Sequence, residues 1–124
     1  GRATTAPSEV DDAAMDWPLL QTHRSLLGEQ KVQGLLTVLR DSIVQHREAL
    51  GEAIEADDCT EVAQLAHRLA GSGDSLGFRA LAEALRSLEI AALGNDQTAI
   101  RSLVPLVEAQ LQGSLHTLKG LLQS

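Results

Sequence analysis

From residue 100 onward, apolar side chains return every three or four positions: Ile100, Leu103, Val104, Val107, Leu111, Leu115, Leu118 and Leu122. At about 100° per residue they form one stripe along a helix of roughly seven turns. Such a stripe cannot bury itself, so the chain must supply other helices to cover it. Asp16 as N-cap, Pro18 in the first turn and Gly28 as a stop predict a short helix over 17–27, with Leu19, Leu20, Leu26 and Leu27 inward. A second helix over 29–56 carries Leu35, Leu39, Ile43, His46, Leu50 and Ala53 on one stripe. Asp58, with Glu61 three residues later, caps a third helix that reaches about Leu76, where Gly77 offers a left-handed stop. A fourth over 78–93 turns Leu81, Leu85, Leu88 and Ala92 inward and stops at Gly94. Asn95 or Asp96 then caps the fifth, which ends near residue 122 and is expected to bend at Pro105.

Short turns between the four longer helices predict an all-α, antiparallel up-down four-helix bundle with a short additional N-terminal helix. Composition agrees. The 44% of hydrophobic residues are mostly Leu, Ala, Val and Ile, with one Phe, one Trp and no Tyr, which favours helix over sheet. Residues 1–15, small and acidic, read as a linker or tail, and 16–124 as the bundle domain. A net charge of -7 argues against nucleic acid as a partner. No apolar run suits a membrane span or signal peptide. Cys59 is alone, so neither a disulfide nor a CxxC metal pair is available, and a cytoplasmic setting is expected.

The third helix holds the chemistry. Val62, Leu65, Ala66, Leu69, Gly73 and Leu76 share its core face. His67 lies about 140° from the middle of that stripe, alongside Thr60, Gln64, Gly71 and Asp74, and so points out of the core. Around it side chains shrink to Ala63, Ala70 and Gly71. Each mid-helix glycine costs about 0.5–1 kcal/mol relative to alanine, so Gly71 beside an exposed imidazole signals a surface that something approaches closely. Gly73, on the core side, suits close packing against a neighbouring helix.

The run AHRLAGSGDSLGFRALAEALRSLE, residues 66–89, resembles the signature AHxLKGxxxxLGxxxLxxxxxxLE of histidine-containing phosphotransfer domains. The surrounding plan of helices extends the likeness over about 17–122. The resemblance implies a bundle whose exposed histidine takes phosphate from a receiver-domain aspartyl phosphate and hands it to the receiver of a response regulator. It implies His67 as phospho-acceptor, Gly71 as the small residue that admits the receiver, and Glu89 as the partner of the far ring nitrogen. Glu89 falls about 60° off the core stripe of its helix, at a groove edge. Gln64, Arg68, Ala70, Gly71 and Asp74 form the expected docking face. The sequence departs from the signature at Ala70, where a lysine is usual, and Arg86, one turn before Glu89, is the candidate for the missing charge.

A neutral imidazole offers a lone pair near pH 7 without a strong base. The domain itself is expected to bind no cofactor, with Mg²⁺ supplied by the receiver. It carries no phosphate loop for ATP. The expected setting is the C-terminal module of a larger hybrid sensor histidine kinase, with a free-standing carrier as the alternative. A monomer is expected. His46 reads as a packed structural residue, and His23 and His116 lack partners at metal-ligand spacing. Ser72 and Ser75 show no nucleophile–base pattern. Two other functions compete. A docking module could bind or inhibit a partner through the same face without chemistry. A histidine-kinase dimerisation domain would carry an acidic residue after its histidine, where this chain has Arg68.

Overall fold

A computed structural model describes residues 14–123, and over these the chain is helical throughout. In order come α1 (Trp17–Leu27), α2 (Glu29–Glu55), α3 (Cys59–Ser75), α4 (Arg79–Leu93) and α5 (Gln97–Gln123). The caps sit where the sequence places them. Asp16 accepts from the Leu19 amide at 3.1 Å, Asp58 from Glu61 at 3.2 Å and Asp96 from Ala99 at 3.0 Å. Each satisfies an amide that the first turn leaves without a helical partner. The four long helices close a ring: α3 lies chiefly against α4, α4 against α5, and α2 against both α3 and α5, with α1 laid on α2. Three-residue turns join the four long helices and make sequential neighbours antiparallel.

The core is the shared inner face of these helices. Leu81, Leu85, Leu88 and Ala92 of α4 are buried as expected, as are Ile100, Val107, Leu111 and Leu118 of α5. Leu103, Val104, Leu115 and Leu122 pack at its margin. The stripe of α2 differs by one residue from its expected phase. Val32, Leu36, Leu39 and Ile43, spaced four, three and four, are buried, and Leu35 is left 39% exposed. Val32, Leu36, Leu39 and Ile43 set the middle of the buried face, and Leu35, about 100° round the helix from Leu36, falls at its edge. His46 is half-buried, with its Nδ1 at 2.9 Å from the Ser42 carbonyl, one turn back.

The first helix is less buried than its leucines suggest. Leu20 alone is buried within it, while Leu26 and Leu27 are exposed. Its attachment is at the N-terminal end, where Met15 is buried and the Asp16 amide donates to the Gly77 carbonyl at 2.7 Å. Met15 therefore belongs to the packed domain rather than to the tail expected over 1–15, and residues 1–13 of that tail lie outside the described residues. His23 adds a second tie, its Nε2 at 2.8 Å from the Ser75 carbonyl at the end of α3. Helix α5 continues as one α-helix through Pro105. Both Pro105 and Arg101, whose carbonyl loses its amide partner there, are exposed, so water can take that bond. The left-handed residue ending α4 is Asn95 (φ 53°) rather than Gly94.

Gly77 is required twice over. Its φ is +89°, and a Cβ there would lie 2.8 Å from the Asp16 carbonyl oxygen. Gly77→Ala is expected to cost about 2–4 kcal/mol, adding the strain of a left-handed alanine to displacement of the Asp16 backbone. Urea unfolding measures this. A loss below about 0.5 kcal/mol, the range of an ordinary surface change, would mean that the N-terminal strap moves aside freely.

Candidate functional site

Helix α3 is amphipathic in the expected sense. Val62, Leu65, Ala66, Leu69 and Gly73 are buried, as is the following Leu76, while Thr60, Gln64, His67, Gly71 and Asp74 are exposed. The His67 side chain is 78% exposed, yet its ring is not free to turn. Its Nδ1 lies 3.0 Å from Oε2 of Glu89, which projects from α4 and is itself only 21% exposed. An ionised carboxylate can only accept, so the imidazole donates from Nδ1. The neutral ring then holds its lone pair on Nε2, away from Glu89. An oriented imidazole with an accessible, unprotonated nitrogen is a nucleophile with its approach left open.

The clearance next to it is real. A Cβ placed on Gly71 would meet nothing within 4 Å, so the gap faces solvent. Gly73 serves packing: a Cβ there would lie 3.3 Å from Leu81 Cδ2 and 3.6 Å from Phe78 Cβ. The small residues thus divide into one that keeps the surface low and one that lets α3 and α4 close up. Ala70 does not belong to the exposed docking face expected of it. It is 2% exposed, because it lies on the α4 side of α3 with Ala63 and helps to form the interhelix seam.

Of the charged residues singled out by sequence, Arg68 is exposed and has no ion-pair partner among the described residues. Arg86 does not reach His67 in this structure. Its guanidinium lies 3.1 Å from Asp74, and both side chains are half exposed. The sequence marked both residues but not their pairing, since they lie on different helices and no local spacing signals the contact. The tie between His23 and Ser75 escaped for the same reason, 52 positions separating the two. Among the described residues no group of three or more His, Cys, Asp or Glu could hold a metal ion. Among the described residues Glu89 alone of the acids pairs with His67, and one carboxylate does not amount to a donor set for Mg²⁺.

If His67 takes the phosphoryl group, as the resemblance implies, removal of the Glu89 carboxylate is expected to slow that transfer by roughly tenfold, about 1.4 kcal/mol, the order of one charge-assisted hydrogen bond. Glu89→Gln keeps an acceptor oxygen and should stay within about threefold of wild type, whereas Glu89→Ala should not. Equal rates for all three in a receiver-transfer assay would mean that the ring needs no orienting partner.

A bundle with an outward histidine, steered by an acid on the neighbouring helix and flanked by a glycine, defines the class of histidine phosphotransfer modules. The comparisons agree: the Hpt domain family matches residues 34–117, and the chain belongs to that family. Membership of this family places the chain among the histidine phosphotransfer domains of two-component signalling. Over 91 residues it is 45% identical to sensor histidine kinase AruS of Pseudomonas aeruginosa, a match covering 73% of this chain and 9% of that protein. The chain therefore corresponds to under a tenth of that relative. The crystal structure of histidine-containing phosphotransfer protein B (HptB) from Pseudomonas aeruginosa PAO1 superposes with a TM-score of 0.82 at 20% identity, covering 89% of this chain and 95% of that one. That likeness is one of fold.

Proposed function

We propose that His67 accepts a phosphoryl group from the aspartyl phosphate of one receiver domain and passes it to the receiver of a response regulator. The observation that carries this reading is the 3.0 Å bond from His67 Nδ1 to Glu89 on an imidazole that is otherwise open to solvent. The Nε2 lone pair attacks phosphorus. The N–P bond forms as the P–O bond to the aspartyl carboxylate breaks, and the carboxylate leaves with the electron pair. The phosphorylated ring carries positive charge, which the Glu89 carboxylate offsets through the Nδ1 proton it accepts. Transfer onward reverses these bonds with a second aspartate. Mg²⁺, held by the receiver, neutralises charge on the moving group, while this chain supplies position and access.

Gln64, Arg68, Gly71 and Asp74 make up the surface on which the receiver sits. The relation to a sensor kinase supports a place as one module of a hybrid sensor histidine kinase, acting as a monomeric bundle in the cytoplasm, with residues before Ala14 as its tether. None of the described helices is long and apolar enough to cross a membrane. The test is to mix the chain with a receiver carrying labelled aspartyl phosphate and look for acid-labile, base-stable label on the chain. Binding without label, across the receivers of the source organism, would replace this reading with that of a docking module.

A further inference from the structure

The 3.0 Å bond between His67 and Glu89 marks the register of the antiparallel helices α3 and α4. Three residues on from His67 and three back from Glu89, Arg86 stands level with Ala70. It is thus rooted between two points on one face of α3, about 4.5 Å along the axis from the level of His67 and about 6 Å from that of Asp74. Its guanidinium now rests on Asp74 at 3.1 Å. The ground between Asp74 and His67 is clear, since Ala70 offers only a buried methyl and Gly71 no side chain. Other arginines of the bundle are differently placed. Arg79 and Arg101 are paired with Asp16 and Asp57, and Arg68 projects about 100° round α3 from His67.

We propose that Arg86 is a swinging charge partner, parked on Asp74 while His67 is unmodified and drawn onto the phosphoryl oxygens once His67 carries them. This rests on the carrier reading above. The exchange breaks no covalent bond; one ion pair replaces another. It is favoured because an exposed Arg–Asp pair is weak, whereas a phosphoryl group presents about -1.5 to -2 charges and three acceptor oxygens to a planar guanidinium. Asp74 is then a restraint that sets how readily the charge of Arg86 is available.

The test uses the intact chain phosphorylated with phosphoramidate, a small donor that reaches an exposed imidazole without docking. Phosphorus NMR follows the last proton lost by the phosphoryl group as pH rises. A nearby cation favours the dianion and lowers that midpoint. Arg86→Gln should raise it by roughly half a unit to one unit, the low end of what an opposite charge at contact produces, and Arg86→Lys should restore most of the shift. Asp74→Asn should lower the midpoint in the wild-type background but leave it unmoved in Arg86→Gln. An Arg86→Gln midpoint equal to wild type overturns the proposal, as does an Asp74→Asn change that is absent or is the same in both backgrounds. Failure of His67 to take phosphate from either phosphoramidate or a phosphorylated receiver overturns the carrier reading and this proposal with it.

Discussion

A His67→Gln chain should fold as well as wild type and take no acid-labile label from any phosphorylated receiver. The first half follows from exposure. A side chain 78% open to solvent contributes little to the core, and a surface change of this kind stays within about 0.5 kcal/mol. Glutamine also keeps an N–H donor, one bond further out than Nδ1 on a flexible side chain that can still turn to Glu89. The second half follows from chemistry, because an amide nitrogen has its lone pair delocalised and cannot attack phosphorus. His23, His46 and His116 do not replace it. His23 and His46 are engaged by backbone carbonyls, and none of the three stands beside a cleared helix face with a carboxylate to orient it. The measurement is filter-bound label after acid and after base treatment, alongside thermal unfolding. Base-stable, acid-labile label persisting in His67→Gln would sink the assignment.

Gly71→Leu is expected to separate stability from function in the opposite direction. Nothing lies within 4 Å of the added Cβ, so the helix accepts the side chain without strain. Leucine in place of a mid-helix glycine should stabilise the bundle by about 0.5–1 kcal/mol. Transfer from a receiver should nevertheless fall by about 100-fold, the order that a 1 Å misplacement of reacting atoms costs. Phosphoramidate, which needs no docking, should still label the variant at close to the wild-type rate. A more stable chain with unimpaired receiver transfer would show that no partner approaches along this face.

Much of the fold was legible because helices announce themselves locally. Capping side chains bond to amides three residues away, and a stop glycine marks its own turn, so Asp16, Asp58, Asp96 and Gly77 could be read one element at a time. The structure departs from the sequence reading at the edge of an inward face, as at Leu35 on α2, or where a residue's fate depends on a remote contact. Met15 follows a polar, acidic stretch and looks like tail, but the bond from the next residue, Asp16, to Gly77 carries it into the core. Leu26 and Leu27 are apolar and were expected inside, yet α1 is held at its other end. At the site, the exposure of His67 and the clearance at Gly71 follow from position on a helix, whereas the contact of Glu89 with the ring was expected only from the family resemblance. Ala70 was misjudged because its angle on α3 does not say how closely α4 approaches.

By itself the sequence determined the five helices, their caps, most of the inward stripes and the outward position of His67 beside Gly71. These depend on interactions within a few residues, for which helical geometry is a sufficient guide. Tertiary structure alone decided which groups meet across helices: Glu89 on the Nδ1 of His67, Asp74 on Arg86, Asp16 on Gly77. Those contacts depend on the register and spacing between packed helices. These are properties of the complementary side-chain surfaces, set only when the whole core closes.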